Sequence, residues 1–146
     1  MAKRLVIFIS VGLSVQAVAS DPNWIEGRWV SNGDLSAKAN PQTEHLAPAD
    51  LVKFKSLFGK TIWHFENGMF TGIQTESGYE SSSPYYIRPA EEGRWEIIFY
   101  QDSYESGLTV WRVEGGFCAD TVPGWIKEQQ GWSKAEIIEC YIPDDA

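Results

Sequence analysis

Thr61-Ile62-Trp63-His64-Phe65-Glu66-Asn67-Gly68-Met69-Phe70-Thr71-Gly72-Ile73-Gln74-Thr75 is the stretch that decides the fold. Two runs rich in β-branched and aromatic residues flank Asn67-Gly68, the pair that accepts positive φ at both centres of a two-residue hairpin turn. The spacing predicts strands over Thr61–Glu66 and Met69–Thr75. The same rhythm recurs outward from this hairpin. Trp24–Ser31 precedes it; Ser83–Arg88 follows, then Arg94–Gln101 after Glu92-Gly93 and Leu108–Val113 after Ser106-Gly107. Gly116–Ala119 comes after Glu114-Gly115, and Ala135–Ile142 is last. About eight short strands with turn signals between them predict an all-β, antiparallel sandwich or barrel. Ser81-Ser82-Ser83 reads as a flexible turn.

One segment departs from period two. Over Pro48–Phe58, Leu51, Phe54, Leu57 and Phe58 recur at helical spacing, with Lys53, Lys55 and Ser56 opposite. Pro48 suits a first helical turn, Asp50 complements the dipole there, and Gly59 is a natural stop. One helix near residues 48–58, placed between the first and second strands, is expected to lid one end of a barrel. Gly124–Gln130 is a weaker candidate for a single turn.

The chain has 146 residues, and its first 19 read as a signal peptide. Lys3 and Arg4 are a basic n-region, Leu5–Val15 is apolar, and Ala17-Val18-Ala19 is a small-x-small cleavage pattern. The apolar run is too short to span a bilayer, and no later segment resembles a transmembrane helix. Residues 20–146 are then a single domain in the periplasm or secreted. Loss of Lys3 and Arg4 takes Lys plus Arg from 12 to 10 against 20 Asp plus Glu, a net charge of −10. That field disfavours nucleic acid and anionic lipid as partners. It keeps an exported domain soluble, or presents an acidic face to a basic protein.

Cys118 and Cys140 are the two cysteines. In an oxidising compartment they make one disulfide, worth roughly 3 kcal/mol on the chain-entropy account. Neither zinc-finger spacing nor a nucleophile motif accompanies them, so no metal, cofactor or catalytic residue is expected. His64 is the one strand residue suited to titrate near neutrality, and an enzyme with His64 as base is the least favoured function. All seven Trp follow residue 19. Most are expected in the core. Trp125 and Trp132 sit in the loop bounded by the two cysteines and are expected to cover a barrel mouth, stack on a sugar, or meet a partner.

Trp24-Ile25-Glu26-Gly27-Arg28-Trp29-Val30-Ser31-Asn32 resembles the opening Gly-x-Trp segment of lipocalins and related calycin barrels. The order of strand, helix, hairpin and meander resembles the same group. The resemblance implies a lipocalin-like barrel in which Trp29 packs under the floor against an arginine of a late strand, Arg112 by position. It also implies a lumen that takes small apolar molecules. On the alternating strands, the mixed polar and aromatic faces supply the expected ligand-binding residues: Trp63, His64, Tyr86, Arg88, Tyr100 and Trp111. Arg88 or Arg112 would pair an anionic head group. The expected function is therefore an exported binder of an apolar or amphipathic molecule. The alternative is a protein-binding module such as an inhibitor of a basic enzyme.

Overall fold

Both residues of the Asn67-Gly68 turn have positive φ, 51° and 76°, the geometry that lets two strands leave a two-residue turn with matching twist. In the computed structural model, which describes residues 22–101, 104–120 and 137–145, β2 (Thr61–Glu66) and β3 (Met69–Gln74) pair directly through it, Glu66 opposite Met69. The meander continues through β4 (Glu80–Pro89), β5 (Arg94–Gln101), β6 (Tyr104–Val113), β7 (Gly116–Asp120) and β8 (Ile138–Pro143). β8 returns to β1 (Gly27–Ser31), so eight antiparallel strands close into a barrel. Closure gives every strand a hydrogen-bonded neighbour on each side, although β4 pairs β3 through its first half and β5 through its second. The all-β lipocalin-like barrel expected from the sequence is the fold observed.

Several boundaries differ from expectation for local reasons. Trp24 and Ile25 belong to a 3-10 turn over Pro22–Ile25, and the strand begins at Gly27, whose φ of 122° redirects the chain. Ser106-Gly107 is not a turn but lies inside β6, opposite Phe99 and Ile98. Ser81-Ser82-Ser83 is strand, with Thr71 and Ser82 hydroxyls 2.8 Å apart across β3 and β4. The helix expected over 48–58 spans Pro48–Lys55 (α2). The signal peptide, Trp125, Trp132 and the Gly124–Gln130 turn lie outside the described residues.

An unforeseen helix, α1 (Gly33–Ala39), completes the seam of the barrel. β1 pairs β8 only from Trp29↔Pro143 to Ser31↔Tyr141, and then its chain leaves the sheet. Asn32 caps α1 by accepting from Leu35 N–H at 2.8 Å. Past that point α1 satisfies β8 with side chains. Cys140 N–H donates to Ser36 Oγ at 2.8 Å. The fully buried Asn40 amide donates to Ile138 C=O at 2.7 Å and accepts from Ile138 N–H at 2.9 Å. α2 packs on α1, where Gly33 comes so near that a Cβ would stand 2.5 Å from the Lys55 carbonyl oxygen.

Cys118 and Cys140 face each other across β7 and β8, Cα atoms 4.0 Å apart, and form the expected disulfide. No helix among the described residues is long and apolar enough to cross a membrane.

Candidate functional site in the barrel interior

Strand alternation divides the interior into two tiers. The lower tier is a ring cluster. Trp63, Phe65, Trp95, Phe99, Phe117 and Tyr141 are buried there with Ile97 and Val110, and Phe70 and Tyr85 pack against them. Most ring pairs meet edge to face or tilted, as at Phe65–Tyr85 (5.0 Å, 73°) and Phe70–Phe99 (4.8 Å, 55°). Trp63, Tyr141 and Phe117 instead stack, at 4.3 Å for the first pair and 5.1 Å for the second.

The 3-10 turn over Pro22–Ile25 closes the lower end. Ile25 is fully buried, and Trp24 stands edge-on to Phe117 at 5.7 Å. Trp29 Nε1 donates to the Ile25 carbonyl at 2.7 Å and sets its ring against Phe117. The Arg112 guanidinium lies 5.5 Å over the Trp24 ring. Arg28 pairs with Asp144 at 2.7 Å and ties the start of β1 to the segment after β8 at this floor.

The upper tier is built from small and hydroxyl side chains. Continuing each strand's alternation upward from the rings, the inward positions are Ser31 on β1, Thr61 on β2 and Gly72 on β3. Ser81 and Ser83 follow on β4, Ser106 on β6, and Ala119 and Glu139 on β7 and β8. The Phe70 ring folds upward beneath Gly72, where an added Cβ would meet it at 3.2 Å. Glu139 is the one formal charge among these described positions, and its Oε1 accepts from Ser31 Oγ at 2.5 Å. Serine, glycine and alanine side chains each occupy little of a barrel's width. β7 ends and β8 begins at this upper end.

Of the six residues expected to bind ligand, the structure brings only Trp63 into the interior. His64, Tyr86, Arg88, Tyr100 and Trp111 alternate with inward residues and face outward. Several of them are engaged there. Arg88 holds Glu96 through Nη2 at 2.8 Å, the Tyr86 and Tyr100 rings lie 5.5 Å apart, and the Arg94 guanidinium sits 4.5 Å over Trp111. The serines and Glu139 were missed because hydrophobic alternation is silent where a strand's inward residues are small. Counting back by twos from Tyr85 would have reached Ser83 and Ser81.

Tyr141 brings a phenol hydroxyl into the interior ring cluster. It is fully buried, and its hydroxyl has no partner at hydrogen-bonding geometry, although the Glu139 carboxylate is near. Burial first, and that carboxylate second, push its pKa well above the ordinary 10.0. The unfolded chain therefore loses this proton before the folded one. The stabilising contribution is complete below pH 10.0 and drains as pH rises toward the folded value, by up to about 1.4 kcal/mol per pH unit. Tyr141→Phe keeps the stack and removes the stranded hydroxyl. It should raise stability at pH 7 by about 1 kcal/mol and make the alkaline decline shallower in urea titrations. An unchanged alkaline slope would show that Tyr141 is not the titrating group.

No family model, curated protein or solved structure matches this chain.

Proposed function

We propose that the protein is an exported, lipocalin-like binder that holds one small amphipathic molecule in the upper tier of its barrel. The apolar part would rest on Phe70 and Trp63, and the polar part among Ser81, Ser83, Ser106 and Glu139. The observation that carries this is the division of the interior, ring-filled below and lined by small hydroxyl side chains above. Pockets of this class combine an apolar wall with few polar groups. The leader-like residues 1–19 and the Cys118–Cys140 bridge support export. Gly27-Arg28-Trp29 in β1 supports the lipocalin likeness.

Decan-1-ol, an uncharged amphipathic probe, tests this reading. Titration into the purified protein should give saturable one-to-one binding by native mass spectrometry and perturb tryptophan fluorescence. The binding should be nearly indifferent to salt. Absence of saturable binding up to the solubility limit of the probe would overturn the proposal.

A second reading has its own observation. Glu26, Glu66, Glu91, Glu92, Glu114, Asp144 and Asp145 all lie at strand ends or turns of the lower rim. That rim suits a basic protein partner, whose association would weaken steeply with salt.

A further inference from the structure

We propose that the lower half of β4, residues 85–89, is an open strand edge that takes an extended, basic segment of a partner protein as an added strand. The proposal rests on the acidic-rim reading and deepens it. Two backbone bonds fix which groups of β4 are open. Tyr85 N–H donates to Gly68 C=O at 3.0 Å, and Ala90 N–H donates to Arg94 C=O at 3.0 Å. Backbone groups of an antiparallel strand point to alternate sides. Tyr86 and Arg88 therefore point theirs at β5, opposite Ile98 and Glu96, while Ile87 and Pro89 point theirs the other way.

On that other side β3 does not reach far enough. Its register with β4 starts at Met69↔Pro84, and the Asn67-Gly68 turn lies at that end. No described strand runs beside Ile87 and Pro89 there, so the Ile87 N–H and the Ile87 and Pro89 carbonyls form a short row at the rim. Asn67, Gly68 and Pro89 are exposed, and the row is reachable from solvent. Such a row is a template for one more strand. Pro89 offers no N–H, so the addition is short: a residue facing Ile87 exchanges two bonds with it, and the next pair adds one.

Charge selects the occupant. Glu66 stands at the hairpin tip, and Glu91 and Glu92 lie in the turn after β4, all exposed. Glu26 is near Tyr85 at the start of this half: burial first, and that carboxylate second, raise the Tyr85 phenol above its usual range. Carboxylates around a backbone edge suit lysine or arginine side chains alternating along an added strand. The neighbouring arginines face outward and are engaged, Arg88 with Glu96 at 2.8 Å and Arg94 over Trp111 at 4.5 Å. A second copy of this chain would bring a net charge of −8 to the same rim, which disfavours self-pairing.

The probe is acetylated, amidated Lys-Val-Lys-Val-Lys-Val-Lys, whose valines would face Ile87 while its lysines reach the carboxylates. Calorimetric titration into the purified protein at neutral pH should show binding that weakens at least about 10-fold from low to high salt. The same peptide with N-methylated valines keeps every charge but cannot donate to the edge, and should bind at least about 10-fold more weakly. Hydrogen exchange reads the edge itself. In the free protein the Ile87 amide should exchange faster than those of Tyr86 and Arg88, and the unmethylated peptide should slow it at least about 10-fold. Ile87→Pro removes an N–H that points away from β5, and in the folded variant should lower affinity about 10-fold. Unchanged Ile87 exchange in the saturated protein would overturn the inference. If both peptides also bound equally, the acidic rim would stand as a surface that attracts by charge alone. Absence of binding by either peptide at low salt would remove the inference and the acidic-rim reading together.

Discussion

Trp63→Ala is expected to lower the unfolding free energy by about 4 kcal/mol, in the upper range for truncating a buried aromatic ring. Trp63 is 8% exposed and touches four other rings, with centroids 4.3 Å away at Tyr141, 5.6 Å at Phe70, 6.1 Å at Phe117 and 6.2 Å at Phe65. Each contact comes from a different part of the barrel or a different level of one strand, so surrounding side chains cannot all collapse into the void. Tyr100 is the natural control. It is 44% exposed on the outer face, and Tyr100→Ala should cost less than about 1 kcal/mol. Urea unfolding followed by circular dichroism gives both values. Equal costs for the two would contradict the assignment of Trp63 to the inside and Tyr100 to the outside.

Asn40→Ala should cost about 3 kcal/mol although the side chain is small. It removes the hydrogen bonds to Ser36 C=O, Ile138 C=O and Ile138 N–H, at 2.7, 2.7 and 2.9 Å, and a longer one from Gln42 Nε2 at 3.4 Å. Two of these reach a residue 98 positions away in sequence. Alanine would leave strand groups on β8 without partners where β1 has already left the sheet. The loss should be local as well as global, with amide exchange at Ile138 and Cys140 accelerating more than at Ile97 or Phe99. Asn40→Asp should not rescue, since a carboxylate accepts from Ile138 N–H but cannot donate to either carbonyl. A cost below about 0.5 kcal/mol, with uniform exchange, would show that α1 merely leans on β8.

How much of this was legible depends on what kind of force set each feature. The hairpin at Asn67-Gly68 was readable because its turn is a backbone requirement written in two residues. The strand number and the Cys118–Cys140 pair were readable for similar local reasons, whereas the strand spacing allowed a sandwich or a barrel and the barrel was implied by the resemblance at Gly27-Arg28-Trp29. The inward face was harder. Trp63 neighbours His64, and Phe99 neighbours Tyr100, so both faces of β2 and β5 carry rings and alternation alone does not say which is inside. The partner decides: Trp63 meets Tyr141, far along the chain, and Tyr100 meets Tyr86 outside. α1 was illegible because its place is fixed by Ser36 and Asn40 bonding to β8, contacts that leave no periodic trace. The serines of β4 were hidden for the opposite reason, being small where a strand is normally recognised by bulk. Trp125 and Trp132, expected at the mouth, lie outside the described residues.

The most direct test of the central claim is to fill the chamber and ask whether binding goes. Ser83→Phe places a ring at an inward position opposite Phe70, among the small side chains proposed to hold the ligand. In a decan-1-ol titration of the folded variant, affinity should drop at least about 10-fold, whereas the double variant Tyr86→Ala, Tyr100→Ala should bind as the unmodified protein does. Full binding by Ser83→Phe, with loss in the Tyr86 and Tyr100 variant, would place the ligand on the outer face and contradict the account.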